Sequence, residues 1–323
     1  MARFVARRLL WLVPTAILVT FVVYVTLRVG WNPIAAYARA NPRAGDERIE
    51  EYREANGLYE GVVGYVRGYL EWLWAFVQGP SQWPTSIQGG AEVWPQLRYS
   101  LLNTFRLAGV SIVIGVGLGV GLGIVAARRP GGWLDGVISG VAFFAGAIPP
   151  FVSGVILQLV FAVQLAWFPP GGVYPPGQQG FDLGEMIQHL ILPVTAVAIQ
   201  TVSQYTRYTR ASVLDVKGSE YLRLARAKGL GERRLLFRHT MPNAMGPIVT
   251  LIGIDLGALL GGLIITENIF NYPGMGVYFL DAVNTGDFPK LMPFMVIVVV
   301  GVLLTNLAAD VFISKLDPRI DLE

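Results

Sequence analysis

The stretch Ser219-Glu-Tyr-Leu-Arg-Leu-Ala-Arg-Ala-Lys-Gly-Leu-Gly-Glu-Arg-Arg-Leu-Leu-Phe-Arg-His-Thr-Met-Pro242-Asn243 lies between two strongly apolar segments and decides how the rest of the chain is read. It is basic and amphipathic. Leu222, Ala225 and Gly229 recur at helical spacing, and so do Leu224 and Ala227 with Lys228 beside them. Gly229 and Gly231 punctuate one helix, and Pro242 is expected to stop a second. Between these marks, Glu232 stands at a helix start and Arg238 and His239 near its end, the signs that the helix dipole favours. A basic loop of this length between membrane spans is either a lipid-surface anchor or a docking site for a cytoplasmic partner.

The flanking segments set the class. Of 323 residues, 53% are hydrophobic and 15% charged, against about 25% charged in an ordinary soluble domain. Mean hydropathy is +0.51. Several apolar runs approach the roughly 20 residues needed to cross a bilayer. The chain reads as an all-α polytopic membrane protein. A net charge of +3 does not argue for nucleic acid, because the basic residues cluster in loops beside the spans. There is no cysteine, hence no disulfide framework and no thiolate chemistry.

Six transmembrane helices are expected. The first covers residues 1–28, with Arg3, Arg7 and Arg8 ahead of its apolar run and no convincing cleavage site after it. An extracytoplasmic insert, 29–97, follows. It carries interleaved acids and arginines around Asp46–Glu54 and an aromatic patch from Tyr65 to Trp94, a composition that favours the membrane interface. The core, 98–314, holds helices at about 101–127, 137–167, 187–204, 243–266 and 291–314. Pro149-Pro150 is expected to kink or break the second of these. The basic loop occupies 207–242, and a cytoplasmic tail 315–323. The basic residues of the amino end, the Arg128 turn, the loop and the tail all fall on one side, which places both termini in the cytoplasm.

Two rows of glycine, Gly115, Gly119 and Gly123 in one helix and Gly253, Gly257 and Gly261 in another, recur every fourth residue. Small residues at that spacing let helices approach closely where the bilayer supplies no hydrophobic drive. Ionisable and polar residues inside spans are candidates for a substrate pathway. Asp255 is the clearest, with Gln158, Gln200 and Gln204 as further cavity-lining candidates; a hydrogen-bonded packing role is the competing reading for Asp255. No phosphate-binding loop is present, because none of the lysines, 217, 228, 290 and 315, follows a glycine. His189 and His239 are the only histidines and lie far apart, so no standard zinc site is expected. Catalysis by this chain alone is not expected, and neither a metal nor a cofactor is assigned to it.

The stretch at 219–243 resembles the EAA coupling loop of ABC-transporter permeases. Ala225, Gly229 and Pro242 fall on that pattern, while Arg223 stands where it has Glu and Leu224 where it has the first Ala. This departure resembles the dipeptide/oligopeptide/nickel importer branch. So do Leu101-Leu-Asn-Thr-Phe-Arg-Leu-Ala108, Ile148-Pro149-Pro150-Phe151, Pro273-Gly274-Met275-Gly276 and Leu316-Asp317-Pro318-Arg319-Ile320. The resemblance covers about 1–28 and 98–320. It implies a type I importer permease, pore-forming and not itself an enzyme. A second homologous permease subunit, two ATPase subunits carrying ATP and Mg, and an extracytoplasmic solute-binding protein would be its partners, beside membrane lipid. ATPase coupling would fall to Glu220, Leu222, Arg223, Ala225, Arg226, Ala227, Lys228, Gly229 and Pro242. Peptides are the expected cargo, with nickel chelates and oligosaccharides as alternatives. An ion-coupled secondary transporter would show two related halves and a midplane charge cluster; Asp255 is the lone clear midplane charge. A membrane-embedded enzyme would need converging nucleophilic or acid–base groups, and none is visible.

Overall fold

The computed structural model describes residues 2–175 and 182–316, apart from the side chains of 2–7, 9, 257–262, 309–310 and 312–316. The described residues contain helices and no strand. In chain order these are α1 (Ala2–Trp31), α2 (Pro33–Ala40), α3 (Asp46–Ala55), α4 (Gly61–Gln78), α5 (Val93–Arg128), α6 (Trp133–Ala147), α7 (Pro150–Leu157), α8 (Leu183–Lys217), α9 (Glu220–Ala227), α10 (Glu232–Leu235), α11 (Met241–Gly262), α12 (Ile264–Ile269), α13 (Met275–Thr285) and α14 (Phe288–Leu316). Among the described residues, α1, α5, α8 and α14 each contain a stretch long and apolar enough to cross a membrane. The pair Trp133–Ala147 and Pro150–Gln164 adds one more if it counts as a single span, although it is bent by 96°. The chain is thus a multi-pass membrane protein. The Leu316–Ile320 motif and the tail lie mostly outside the described residues.

Contacts divide the chain into two units, 1–104 with 273–304, and 105–272 with 305–323. In the first, the insert folds onto the end of α1. Gly68 of α4 meets the Gly57 carbonyl so closely that a Cβ there would stand 1.8 Å from it, and Tyr24 of α1 donates to that same carbonyl at 2.8 Å. Arg28 donates to the Tyr59 carbonyl at 2.6 Å and lies over the Tyr65 ring. Two stretches read as related motifs in the sequence meet here. The Asn103 amide donates to the Pro273 carbonyl at 3.1 Å, and the Met275 N–H donates to Thr104 Oγ1 at 2.8 Å. The Leu-Asn-Thr run therefore fastens the Pro-Gly-Met-Gly turn that leads into α13. Beside it, Lys290 pairs with Asp281 at 3.0 Å. Ser86 donates to Asp287, whose carboxyl burial pushes above the usual carboxylate range.

The second unit is built around α8. Gly115, Gly119 and Gly123 of α5 face Thr201, Tyr205 and Thr209 of α8, and a Cβ on each glycine would come 2.6 Å from the Cβ of its opposite number. Both rows step by four residues, so the helices interlock at backbone distance. Gly117 and Gly121 have nothing within 4 Å and face away from this seam. Gly253 of α11 is buried; Gly257 and Gly261 lie outside the residues whose surroundings are described.

Three boundaries differ from the sequence expectation. The helix expected at 137–167 is two helices that meet at Ile148-Pro149. Pro149 and Pro150 carry no N–H, which leaves carbonyls of the preceding turn open. The helix expected at 187–204 runs on to Lys217, because the charges that suggested a loop after 204 are held by partners described below. Finally, α5 begins at Val93, several residues before the expected 101.

Replacing Gly119 with Val should destabilise the seam by about 1–3 kcal/mol, the usual range for forcing atoms into a packed core. Gly117→Ala should leave stability unchanged. Thermal unfolding of the purified chain, followed by loss of the monodisperse size-exclusion peak, separates the two.

Candidate coupling site

The expected coupling stretch is a rigid elbow. At the end of α8, the Ser219 hydroxyl donates to the Val216 carbonyl at 2.6 Å, and Ser219 takes up the extended backbone that starts α9. Along α9 only Leu222 is buried, at 2% exposure. The helix then closes in a Schellman motif. The Gly229 N–H reaches the Arg226 carbonyl at 2.9 Å and the Leu230 N–H reaches the Ala225 carbonyl at 3.3 Å. Gly229 has φ +83° with open space around its Cα. Its role is therefore backbone conformation, since a β-carbon there meets no neighbour but strains the left-handed turn by about 1–2 kcal/mol. Ala225 supplies the carbonyl that makes the turn.

The other arm corrects one expectation. Pro242 does not stop a helix. It sits in the first turn of α11, which follows on from α10 through a π-helical turn at Leu236–Thr240. There the Met241 N–H reaches back five residues to the Leu236 carbonyl. One extra residue in the turn makes room for a ring that would clash in a regular helix. Leu235 and Leu236 are buried beneath it.

Both arms are fastened to the membrane helices. Lys217 Nζ donates to the Ala127 carbonyl at 2.6 Å and to the Arg128 carbonyl at 3.3 Å, which places a cation on the last carbonyls of α5. Arg210 of α8 binds both oxygens of Asp135 at the start of α6, one of them at 2.8 Å. Asp135 is 5% exposed and accepts further bonds from the Gly131 N–H and the Ser139 hydroxyl. Ser212 donates to the Ala244 carbonyl at 2.7 Å, tying α8 to α11. Arg226 and Glu232 bridge α9 to α10 at 2.8 Å. A cavity of about 610 Å³ lies between the α5–α6 turn and this elbow.

What remains exposed is a mixed surface. Tyr221, Leu224 and Phe237 are 44%, 64% and 57% exposed. Glu220, Arg223, Ala227, Lys228, Arg233, Arg234 and Arg238 surround them, also exposed. The elbow thus buries its leucines inward and presents an apolar patch framed mostly by cations.

The pathway candidates do not converge on one place. Gln200 donates to the Ile148 and Ala145 carbonyls at 2.8 and 3.3 Å, bracing the break at Pro149-Pro150 from α8. Gln158 donates to the Pro170 and Ile269 carbonyls at 2.7 and 3.0 Å. Gln204 and Asp255 do meet: one carboxylate oxygen of Asp255 accepts from the Tyr205 hydroxyl at 2.9 Å and from the Gln204 amide at 3.4 Å. Asp135, Arg210 and Lys217 were missed as parts of the site. Their pairings join residues far apart in sequence, and the only hint was an unmatched acid in the first turn of an apolar helix.

Residues 119–322 match the family of binding-protein-dependent transport system inner membrane components. The chain belongs to that family. It is 36% identical over 322 residues to the oligopeptide transport system permease protein AppB of Bacillus subtilis, which covers 99% of this chain and 100% of AppB. It is 32% identical to the dipeptide transport system permease protein DppB of Alkalihalophilus pseudofirmus and 30% identical to the glutathione transport system permease protein GsiC of Escherichia coli K12, each over 99% of both chains. In fold it resembles a chain of the inward-facing methionine ABC transporter MetNI, with a TM-score of 0.57 at 17% identity over 70% of this chain and 98% of that one. The protein is a permease subunit of an ABC importer.

Asp135→Ala should lower stability by about 1–3 kcal/mol, less than the full cost of breaking a buried pair because Arg210 is partly exposed. Arg210→Ala should cost a similar amount, and the double variant less than the sum. Thermal unfolding midpoints of the four proteins measure this coupling.

Proposed function

We propose that this chain forms half of the pore of a peptide importer and that its 219–243 elbow is the socket for the ATPase. Six spans with both termini in the cytoplasm put the elbow on the ATP side. A second homologous permease completes the pore, and two ATPase subunits, which carry ATP and Mg, engage one elbow each. A solute-binding protein delivers cargo to the opposite face. Peptide cargo is favoured by the names of relatives that match over nearly the whole chain, AppB and DppB among them. Glutathione, the cargo named for GsiC, is itself a small peptide.

The observation that carries the reading is the combination of rigidity and exposure. The elbow is bonded to α5 through Lys217 and to α11 through Ser212, while Leu224, Phe237 and a frame of arginines stay uncovered. A segment that transmits force must not deform before the helices move. The matching groove on the ATPase needs an apolar floor and an acidic rim, since Arg223 replaces the acid of the wider pattern and leaves the α9 surface cationic. Closure of the ATPases on ATP would then displace α9, and with it the ends of α8 and α5, and turn the spans outward. Asp255, held by Tyr205 and Gln204, is the proposed contact for the cationic end of a peptide.

Two experiments test this. Gly229→Val should leave membrane insertion and the amount of protein unchanged while abolishing ATP-driven peptide uptake in proteoliposomes; undiminished uptake would remove the elbow from the coupling path. Asp255→Asn should raise the KM for peptides with a free amino terminus and spare those whose terminus is acetylated. An equal effect on both would make Asp255 a packing residue.

A further inference from the structure

The insert contains a helix whose surface the transport reading does not use. At 3.6 residues per turn, α4 divides into three arcs. Gly64, Gly68, Tyr69 and Trp72 fill one and are buried against the protein. Val62, Val63, Val66, Leu70, Trp74 and Val77 form a continuous second arc that is bare. Val62 and Val63 are 79% and 81% exposed, and Trp74 and Val77 are 67% and 68% exposed. Arg67 and Glu71 border this arc and pair with each other at 2.8 Å, with the Arg67 guanidinium over the Tyr59 ring. An uncovered apolar stripe this long is unusual on a surface that meets water.

The depth of α4 identifies what covers it. Tyr65 lies beneath Arg28, near the end of α1. One turn further along α4, the Tyr69 ring packs edge-on against Phe21 and Tyr24. Its hydroxyl donates to the Ile17 carbonyl at 3.0 Å and is hydrogen-bonded to Thr20 Oγ1 at 2.7 Å. The apolar stretch of α1 runs Leu10–Trp31. Ile17 stands about 21 Å along the axis from Trp31, at 1.5 Å per residue. α4 therefore descends antiparallel along α1 into the part of that helix that crosses the bilayer. Leu18 and Val22 of α1 are themselves exposed. A hydroxyl bonded to α1 inside the span is satisfied without water.

We infer that α4 is a membrane-inserted helix whose bare stripe is seated among the acyl chains of the bilayer beside α1. The Arg67–Glu71 pair on the edge of that stripe is matched internally and brings no unpaired charge into that layer. The insert is thereby anchored to lipid as well as to α1. This placement requires only that α1 crosses the bilayer, so it stands or falls apart from the choice of cargo and of coupling segment.

The chain has no native cysteine, which makes site-directed spin labelling direct. The full chain, with the partners it co-purifies with and their cysteines replaced, is reconstituted in phosphatidylethanolamine–phosphatidylglycerol vesicles. Single cysteines at Val63, Leu70 or Trp74 carry a nitroxide, with Val22 on α1 as the lipid reference and Glu47 on α3 as the water reference. The expected result is a ratio of oxygen to nickel-chelate collision rates at the three α4 sites that is several-fold above that at Glu47 and close to that at Val22. A ratio like that at Glu47 would place the stripe in water. Low collision rates with both reagents would mean that another protein surface covers it. Either result overturns the proposal.

Discussion

The structure of the second unit depends on the backbone-to-backbone contact between α5 and α8. In water, two apolar helices associate because both escape solvent. In lipid that drive is absent, and close packing must supply the attraction. Gly115, Gly119 and Gly123 allow it by offering no side chain opposite Thr201, Tyr205 and Thr209. Everything attached to α8 inherits its position from this seam. The Gln200 brace, the Tyr205–Asp255 contact and the α9 elbow all extend from the same helix.

A second constraint runs through the molecule: prolines in membrane helices leave backbone groups that lipid cannot satisfy. The chain answers locally. At Pro149-Pro150 a side-chain amide from α8 donates to two carbonyls beside the break. Near Pro242 the helix widens into a π-turn. At Pro273 the carbonyl takes the Asn103 amide while the following turn is held by Thr104. These devices also fix the geometry. Gln200 reaches the corner where the chain bends by 96° between Trp133–Ala147 and Pro150–Gln164.

Much of this was legible in the sequence, for physical reasons. Lipid-crossing helices are apolar along their whole length, so composition alone locates α1, α5 and α14. Glycines in every fourth position point to a close helix approach, and the α5 seam at Gly115, Gly119 and Gly123 follows that pattern, while Gly117 and Gly121 face open space. The helical arms and the glycine break of the elbow came from local rules of helix capping. The failures share a cause. Arg207 and Arg210 looked like the start of a loop because isolated cations do not sit in membrane helices, yet Asp135 lies opposite Arg210 from 75 residues away. Gln200 and Gln158 are pathway candidates because polar groups in spans demand a purpose. Both amides donate to the backbone of other segments, a pairing that no local pattern records. Pro242 was taken as a stop because a widened turn leaves no mark in residue type.

The bond from Lys217 to the last carbonyls of α5 has a mechanical consequence. One ammonium joins the exit of α8 to the exit of α5, at the point where α9 begins. A displacement applied to α9 is therefore shared at its origin between two shafts already meshed along three teeth of glycine. Any push on α9 would reach both helices together and tilt them as one stiff twin rod, with little left to dissipate as bending in either one alone.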